Sequence, residues 1–177
     1  MSKCTACPLG YDTTNNNAEK GWGNPAAKLV IVLDDPGNAL AEKLLIWILY
    51  KLSLSSEDVW IDYTLKCPVG NHKKADLRAY YSLCWTAQPR DEIINNQSLV
   101  VCGALSSSLV GGKNLTKVQG TRDENGVWYV YSFKFLLMNP AACLSTWRVI
   151  YKAAEEAGLK PVYNFKVENF KFPSKKV

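Results

Sequence analysis

Four cysteines in two pairs are the residues of this chain best placed to do chemistry. Cys4 and Cys7 form a C-x-x-C at the N-terminus, and Cys67 and Cys84 lie sixteen residues apart in the middle. Four thiolates from two separated places can close a tetrahedral site that ties the start of the chain to the centre of the fold. Soft sulfur ligands favour zinc or an iron–sulfur cluster. The bland alternative for a C-x-x-C is an incidental or redox pair, and the second pair weighs against it. The remaining thiols, Cys102 and Cys143, fall at a strand end and on a helix and read as buried structural residues.

Composition limits the setting. The chain has 177 residues, 47% hydrophobic, enough for one domain spanning 1–177 with a sizeable core. No apolar run approaches a membrane span, and the N-terminus lacks the apolar stretch of a secretory signal. Six cysteines without such a signal point to a reducing compartment, hence the cytoplasm, or the host-cell cytoplasm for a viral chain. The formal charge is +5. A four-iron cluster on four thiolates carries about −2 and would leave about +3. A mildly basic balance permits nucleic-acid binding without demanding it.

The elements that must position these residues can be read from periodicity. Residues 1–25 form an irregular lead-in, polar and Gly/Asn-rich from Tyr11 to Pro25. The apolar run 28–33 reads as a buried strand ended by Asp34-Asp35-Pro36-Gly37. A helix follows over 41–52, a strand over 59–63, and a helical stretch over 74–95 interrupted at Pro89. A third strand covers 98–102, and Gly103 opens a helix. Glu124-Asn125-Gly126 predicts a hairpin over 118–132. The run 133–138 reads as a fourth strand, 142–157 as the last helix, and 160–177 as a basic tail. Alternating strands and helices argue for a parallel sheet covered on both faces, with the ligand site off the carboxyl ends of the strands. Asp34 to Gly37, Tyr63-Thr64, Gly103 and Asn139-Pro140 should therefore converge on one cleft.

In order and spacing, Cys4-Thr-Ala-Cys7, Val32-Leu-Asp-Asp-Pro-Gly37, Ile61-Asp-Tyr-Thr-Leu-Lys-Cys67, Cys84, Val100-Val-Cys-Gly-Ala-Leu-Ser106 and Met138-Asn-Pro140 resemble the motifs of one family. These are the iron–sulfur members, family 4, of the uracil-DNA glycosylase superfamily. The resemblance covers residues 1 to about 158. It implies a three-layer α/β/α sandwich around a four-stranded parallel sheet. It also implies a [4Fe–4S] cluster on Cys4, Cys7, Cys67 and Cys84, with zinc as the rival occupant. The loop after Cys67 would face DNA, single- or double-stranded, with His72, Lys73, Lys74 and Arg78 as candidate phosphate contacts. The competing reading of that loop is a solvated charged face.

The resemblance assigns the base pocket to Asp35, Pro36, Gly37, Tyr63 and Pro140, and the catalytic positions to Asp34 and Asn139. Most of the pocket chemistry departs from the family pattern. Tyr63 stands where a base-reading Asn is expected. Gly37 runs almost directly into the next helix, so the loop carrying the stacking Phe is missing. Asn139 stands for a histidine that acts as an electrostatic donor to the oxygen of the leaving uracil, and Asp35 adds a second carboxylate beside Asp34. The expectation is a catalytically degenerate, DNA-binding member, acting in DNA replication or repair, with a polymerase as a candidate partner in a phage or viral setting. The alternative is an active, monofunctional glycosylase for uracil or another modified base, since Asn139-Pro140-Ala-Ala also resembles the second loop of the mismatch-specific branch. Six tryptophans, at 22, 47, 60, 85, 128 and 147, are read chiefly as core residues, with base stacking or protein anchoring as the other use.

Overall fold

A computed structural model describes residues 4–11, 20–69, 74–87 and 98–162. Five strands form one sheet in the order β1-β3-β2-β4-β5. β2 (Leu29–Leu33) lies at its centre, between β3 (Val59–Tyr63) and β4 (Ser98–Cys102). β5 (Val127–Val130) pairs with β4, and β1 (Trp22–Gly23) adds a two-residue edge to β3. The β2–β3, β2–β4 and β4–β5 pairings are parallel, and β1–β3 is antiparallel, so the sheet is mixed.

Every residue of β2 is buried, as a strand covered on both faces requires. Alternation then sends its side chains into two cores. Leu29, Ile31 and Leu33 enter the larger one, built with α2 (Ala39–Lys51), α6 (Phe133–Met138) and α7 (Cys143–Glu156). Val30 and Val32 enter the smaller one, which meets Val110 of α4 (Ala104–Val110), Leu115 of α5 (Leu115–Val118) and Trp85 of α3 (Lys74–Ala87). A third cluster joins Cys7, Leu9, Leu65, Cys67, Tyr81 and Cys84, with Leu9 supplied by α1 (Pro8–Tyr11). All six tryptophans pack in or against the first two cores, and Trp47 meets Trp147 edge-on at 5.5 Å.

The fourth parallel strand is not the one expected. Residues 133–138 form α6, and the strand lies earlier, at β5. The expected turn is present: Asp123 accepts from the N–H of Asn125 and of Val127, both at 2.9 Å. Its outgoing arm, however, is recruited into the main sheet, with Leu99 opposite Val127 and Cys102 opposite Val130. The incoming arm keeps one antiparallel bridge, Arg122 to Trp128. Ser132 explains the change at 133. Its side chain accepts from Phe135 N–H at 3.3 Å, a helix N-cap that starts α6 where an apolar run looked like a strand. The other helices fall close to expectation, at 39–51 and 143–156. Residues 12–19, 88–97 and 163–177 carry parts of the expected lead-in, helix and tail that lie outside the described residues.

Candidate functional site

The cleft sits at the carboxyl ends of the parallel strands, as doubly wound sheets dictate. Asp34 and Asp35 reach it from the end of β2, Cys102 from β4, and Ser132, Phe133 and Lys134 from the end of β5 and the start of α6. Asn38 and Glu42, from the start of α2, complete the polar lining.

The Asp34 carboxylate is held by two bonds from Ser106. Ser106 donates to its Oδ1 from the backbone N–H at 3.1 Å and from Oγ at 2.5 Å. The fully buried Thr64 hydroxyl donates to Ser106 Oγ at 2.7 Å, linking the end of β3 to the same chain of bonds. Gly103 leaves the room. It has φ +109°, and a Cβ there would stand 2.1 Å from Asp34 Oδ2. Burial pushes the Asp34 carboxyl up to about 6, although the Ser106 bonds and the Lys134 charge pull the other way.

Asp35 is buried and spoken for. Lys134 Nζ donates to both its oxygens, at 2.5 and 2.6 Å, and Tyr81 Oη donates to Oδ2 at 3.1 Å. Two adjacent carboxylates raise the cost of charge in the cleft, and the Lys134 ammonium offsets it. Nothing in the motif pattern marked Lys134, because residues 133–138 read as a strand. Recognising Ser132 as a cap would have placed Phe133 and Lys134 at a strand-to-helix junction, facing the cleft.

With these side chains in place the cavity is about 20 Å³. That admits one water molecule and excludes a nucleobase. Phe133 gives the wall an aromatic ring, which the sequence reading had placed nowhere in the pocket.

The other expected pocket residues are dispersed. Tyr63 is buried in the larger core and its hydroxyl donates to Glu42 Oε1 at 3.3 Å, so it stands behind Glu42 and not in the cleft lining. Pro36 is buried and Gly37 exposed, and the Cβ position of Gly37 lies 3.0 Å from Pro68. Neither borders the cavity. Asn139 and Pro140 occupy an exposed turn after α6, and Asn139 Nδ2 donates to the Phe135 carbonyl at 3.2 Å. Of the expected DNA contacts, Arg78 is exposed on α3. His72, Lys73 and the side chain of Lys74 lie outside the described residues.

The cysteine pairs do approach one another. Cys7, Cys67 and Cys84 share the third cluster, all buried, while Cys4 is partly exposed. The N–H of Lys66 points at Cys84 Sγ from 3.4 Å, a contact that favours a thiolate there. Among the described residues, however, no three cysteine, histidine or carboxylate side chains are gathered closely enough to hold a metal ion. The all-sulfur donor set and its shared cluster fit a thiolate-bound group, and the closed ligand shell is not formed. Cys102 and Cys143 behave as structural thiols: burial raises both, Cys143 to about 11 and Cys102 further under the Asp34 charge.

A side chain links the third cluster to the cleft. Tyr81 packs among Cys7, Cys67 and Cys84 and bonds Asp35 with its hydroxyl. Two backbone bonds run alongside: Thr64 N–H to the Leu33 carbonyl at 2.8 Å and Leu65 N–H to the Asp34 carbonyl at 2.9 Å.

Among the described residues no helix is long and apolar enough to cross a membrane. No protein-family model matches the chain. It is 32% identical over 133 residues to the Type-4 uracil-DNA glycosylase of Thermotoga maritima, an alignment covering 68% of each protein. With the α/β sheet, the strand-end carboxylates and the paired cysteines in place, that likeness settles the kinship: the chain belongs to the type-4 uracil-DNA glycosylase family.

Proposed function

We propose that this protein binds DNA through the strand-end face and excises uracil poorly. The observation that carries the reading is the filled cleft. Its volume is about 20 Å³, and the paired Lys134 and Asp35 stand in its lining. A flipped base needs a pocket in which its edge is read and its face is stacked. Tyr63 is turned to Glu42, and the amide side chain bordering the described cleft is that of Asn38, whose Oδ1 already caps α2 from 3.0 Å.

The test is single-turnover cleavage of a uracil-containing oligonucleotide at excess protein, read as alkali-labile sites. Release should stay near background in the wild type and in Asp34→Ala alike. Efficient release that Asp34→Ala abolishes would overturn the reading and make the chain an active glycosylase. DNA binding should fall as salt rises, because phosphate contacts release counterions. No binding to single- or double-stranded DNA at low salt would refute the DNA role.

The same proposal includes a [4Fe–4S] cluster held by Cys4, Cys7, Cys67 and Cys84. Its support is the all-thiolate set, three members of which already share one buried cluster. The cluster would serve as a staple between the N-terminus, the loop after β3 and α3. Anaerobically purified protein should be brown and carry about four irons per chain. Colourless protein with one zinc would assign the site to zinc instead.

A further inference from the structure

We propose that the cleft acts on DNA that has already lost a base: Lys134 forms an imine with the aldehyde of an abasic deoxyribose, and Asp35 and Asp34 carry the protons of a strand-breaking elimination. The proposal rests on the DNA-binding reading above. It goes beyond it, because an abasic sugar asks nothing of a base pocket.

Three observations meet here. Lys134 is the one primary amine among the described residues lining the cleft, and its side chain is 41% exposed, so it can turn from Asp35 toward a strand on the surface. Its proton acceptor is in place, with both Asp35 oxygens within 2.6 Å of Nζ. Asp35 is held by Tyr81 and nearly inaccessible, so it stays at its post when Lys134 turns outward. Asp34 lies beside them with its carboxyl at about 6, a carboxylate at neutral pH and a better base than an ordinary aspartate. A cavity of about 20 Å³ rejects a base and leaves the ring-opened sugar to meet the amine at the mouth.

The steps balance without an oxidant or reductant. Lys134 passes a proton to Asp35, and the freed lone pair attacks C1′ of the aldehyde. A proton moves from nitrogen to the new alkoxide, giving a carbinolamine. Asp35 returns its proton to that hydroxyl, which leaves as water and yields the iminium. Asp34 then takes a proton from C2′. The electron pair expels the 3′ phosphate as the C3′–O bond breaks. Water adds at C1′, the C–N bond breaks, and the unsaturated aldehyde leaves with Lys134 again an ammonium. Asp34 gives its proton to solvent.

The experiment uses the full chain, an oligonucleotide bearing an abasic site, and sodium borohydride, which reduces the imine to a stable amine. A protein–DNA cross-link should form, and peptide mapping should place it on Lys134. Lys134→Arg keeps the charge and the Asp35 pair but cannot form the imine, and should lower cross-linking by at least about tenfold. Lys152→Ala, an exposed lysine on α7, should cross-link like the wild type. Binding to a tetrahydrofuran analogue, which has no aldehyde, is measured alongside. Binding to the analogue with no cross-link, or a cross-link that survives Lys134→Arg, would sink the imine chemistry and leave the DNA reading standing. Binding to neither oligonucleotide would overturn both.

Discussion

Asp34 shows how one residue's surroundings set its chemistry. Burial favours the neutral acid, and two bonds from Ser106 favour the carboxylate; burial wins and the group titrates near 6 rather than 3.8. A carboxyl raised in the folded state binds its proton more tightly there than in the unfolded chain. It therefore costs nothing below pH 3.8, and destabilises the fold progressively as pH rises through 6. Asp34→Asn should consequently leave stability at pH 4 nearly unchanged and raise it at pH 8, by at most about 3 kcal/mol. Denaturant titrations at the two pH values check the sign. A second outcome concerns the space Asp34 uses. Gly103→Ala places a Cβ against its carboxylate and forces a positive φ on alanine, a loss of about 1–3 kcal/mol from the backbone alone. Thermal melting of this variant should show a clear drop. Asp34 itself was legible in the sequence, because a P-G turn after an apolar run ends a buried strand. Its partner Lys134 was not, because a lysine inside an apolar stretch carries no motif.

At the scale of elements, local patterning placed β2, β3, β4, α2 and α7 within a few residues. Each combines a clean apolar period with a turn or cap signal at its end. The error fell at 133–138, where Phe-Lys-Phe-Leu-Leu-Met suits either a strand or a short helix. Two non-local facts decided it. β4 had an open edge that Val127–Val130 could pair with, and once that strand was used the chain had to turn at Ser132. Nothing in the run itself reports that edge. The cap should then carry weight. Ser132→Ala removes the acceptor for Phe135 N–H and should cost about 1 kcal/mol. Because α6 carries Lys134, the variant should also loosen the Asp35 pair. Faster modification of Lys134 by an amine-acylating reagent, followed by mass spectrometry, would register it. A lowered melting point with unchanged Lys134 reactivity would show that the ion pair holds without the cap.

At the scale of the whole molecule, Tyr81 connects the packing group of Cys7, Cys67 and Cys84 to the cleft. The sequence marked the four cysteines but could not show how they connect to the strand-end cleft. That connection depends on Tyr81, whose ring and hydroxyl serve different ends of the fold. The consequence is a separable pair of effects. Tyr81→Phe keeps the apolar contacts with Cys7, Cys67 and Cys84 and removes only the bond to Asp35, so iron content should match the wild type. Asp35 then loses one of its two partners, Lys134 is held less firmly, and its acylation should quicken several-fold while the fold persists. Cys67→Ser should act the other way round. On the proposed cluster it would remove a ligand from the segment that bonds to Leu33 and Asp34, so iron should fall, and the loop between β3 and α3 would no longer be stapled. Closing a long loop in the unfolded chain typically contributes about 2–4 kcal/mol for a covalent link, and a lost cluster ligand should lower the folding stability by that order. Lys134 should again become more reactive, now together with iron loss. If Cys67→Ser loses its iron yet leaves Lys134 as protected as in the wild type, the cysteine site and the cleft are independent, and Tyr81 is a core tyrosine with a convenient hydrogen bond.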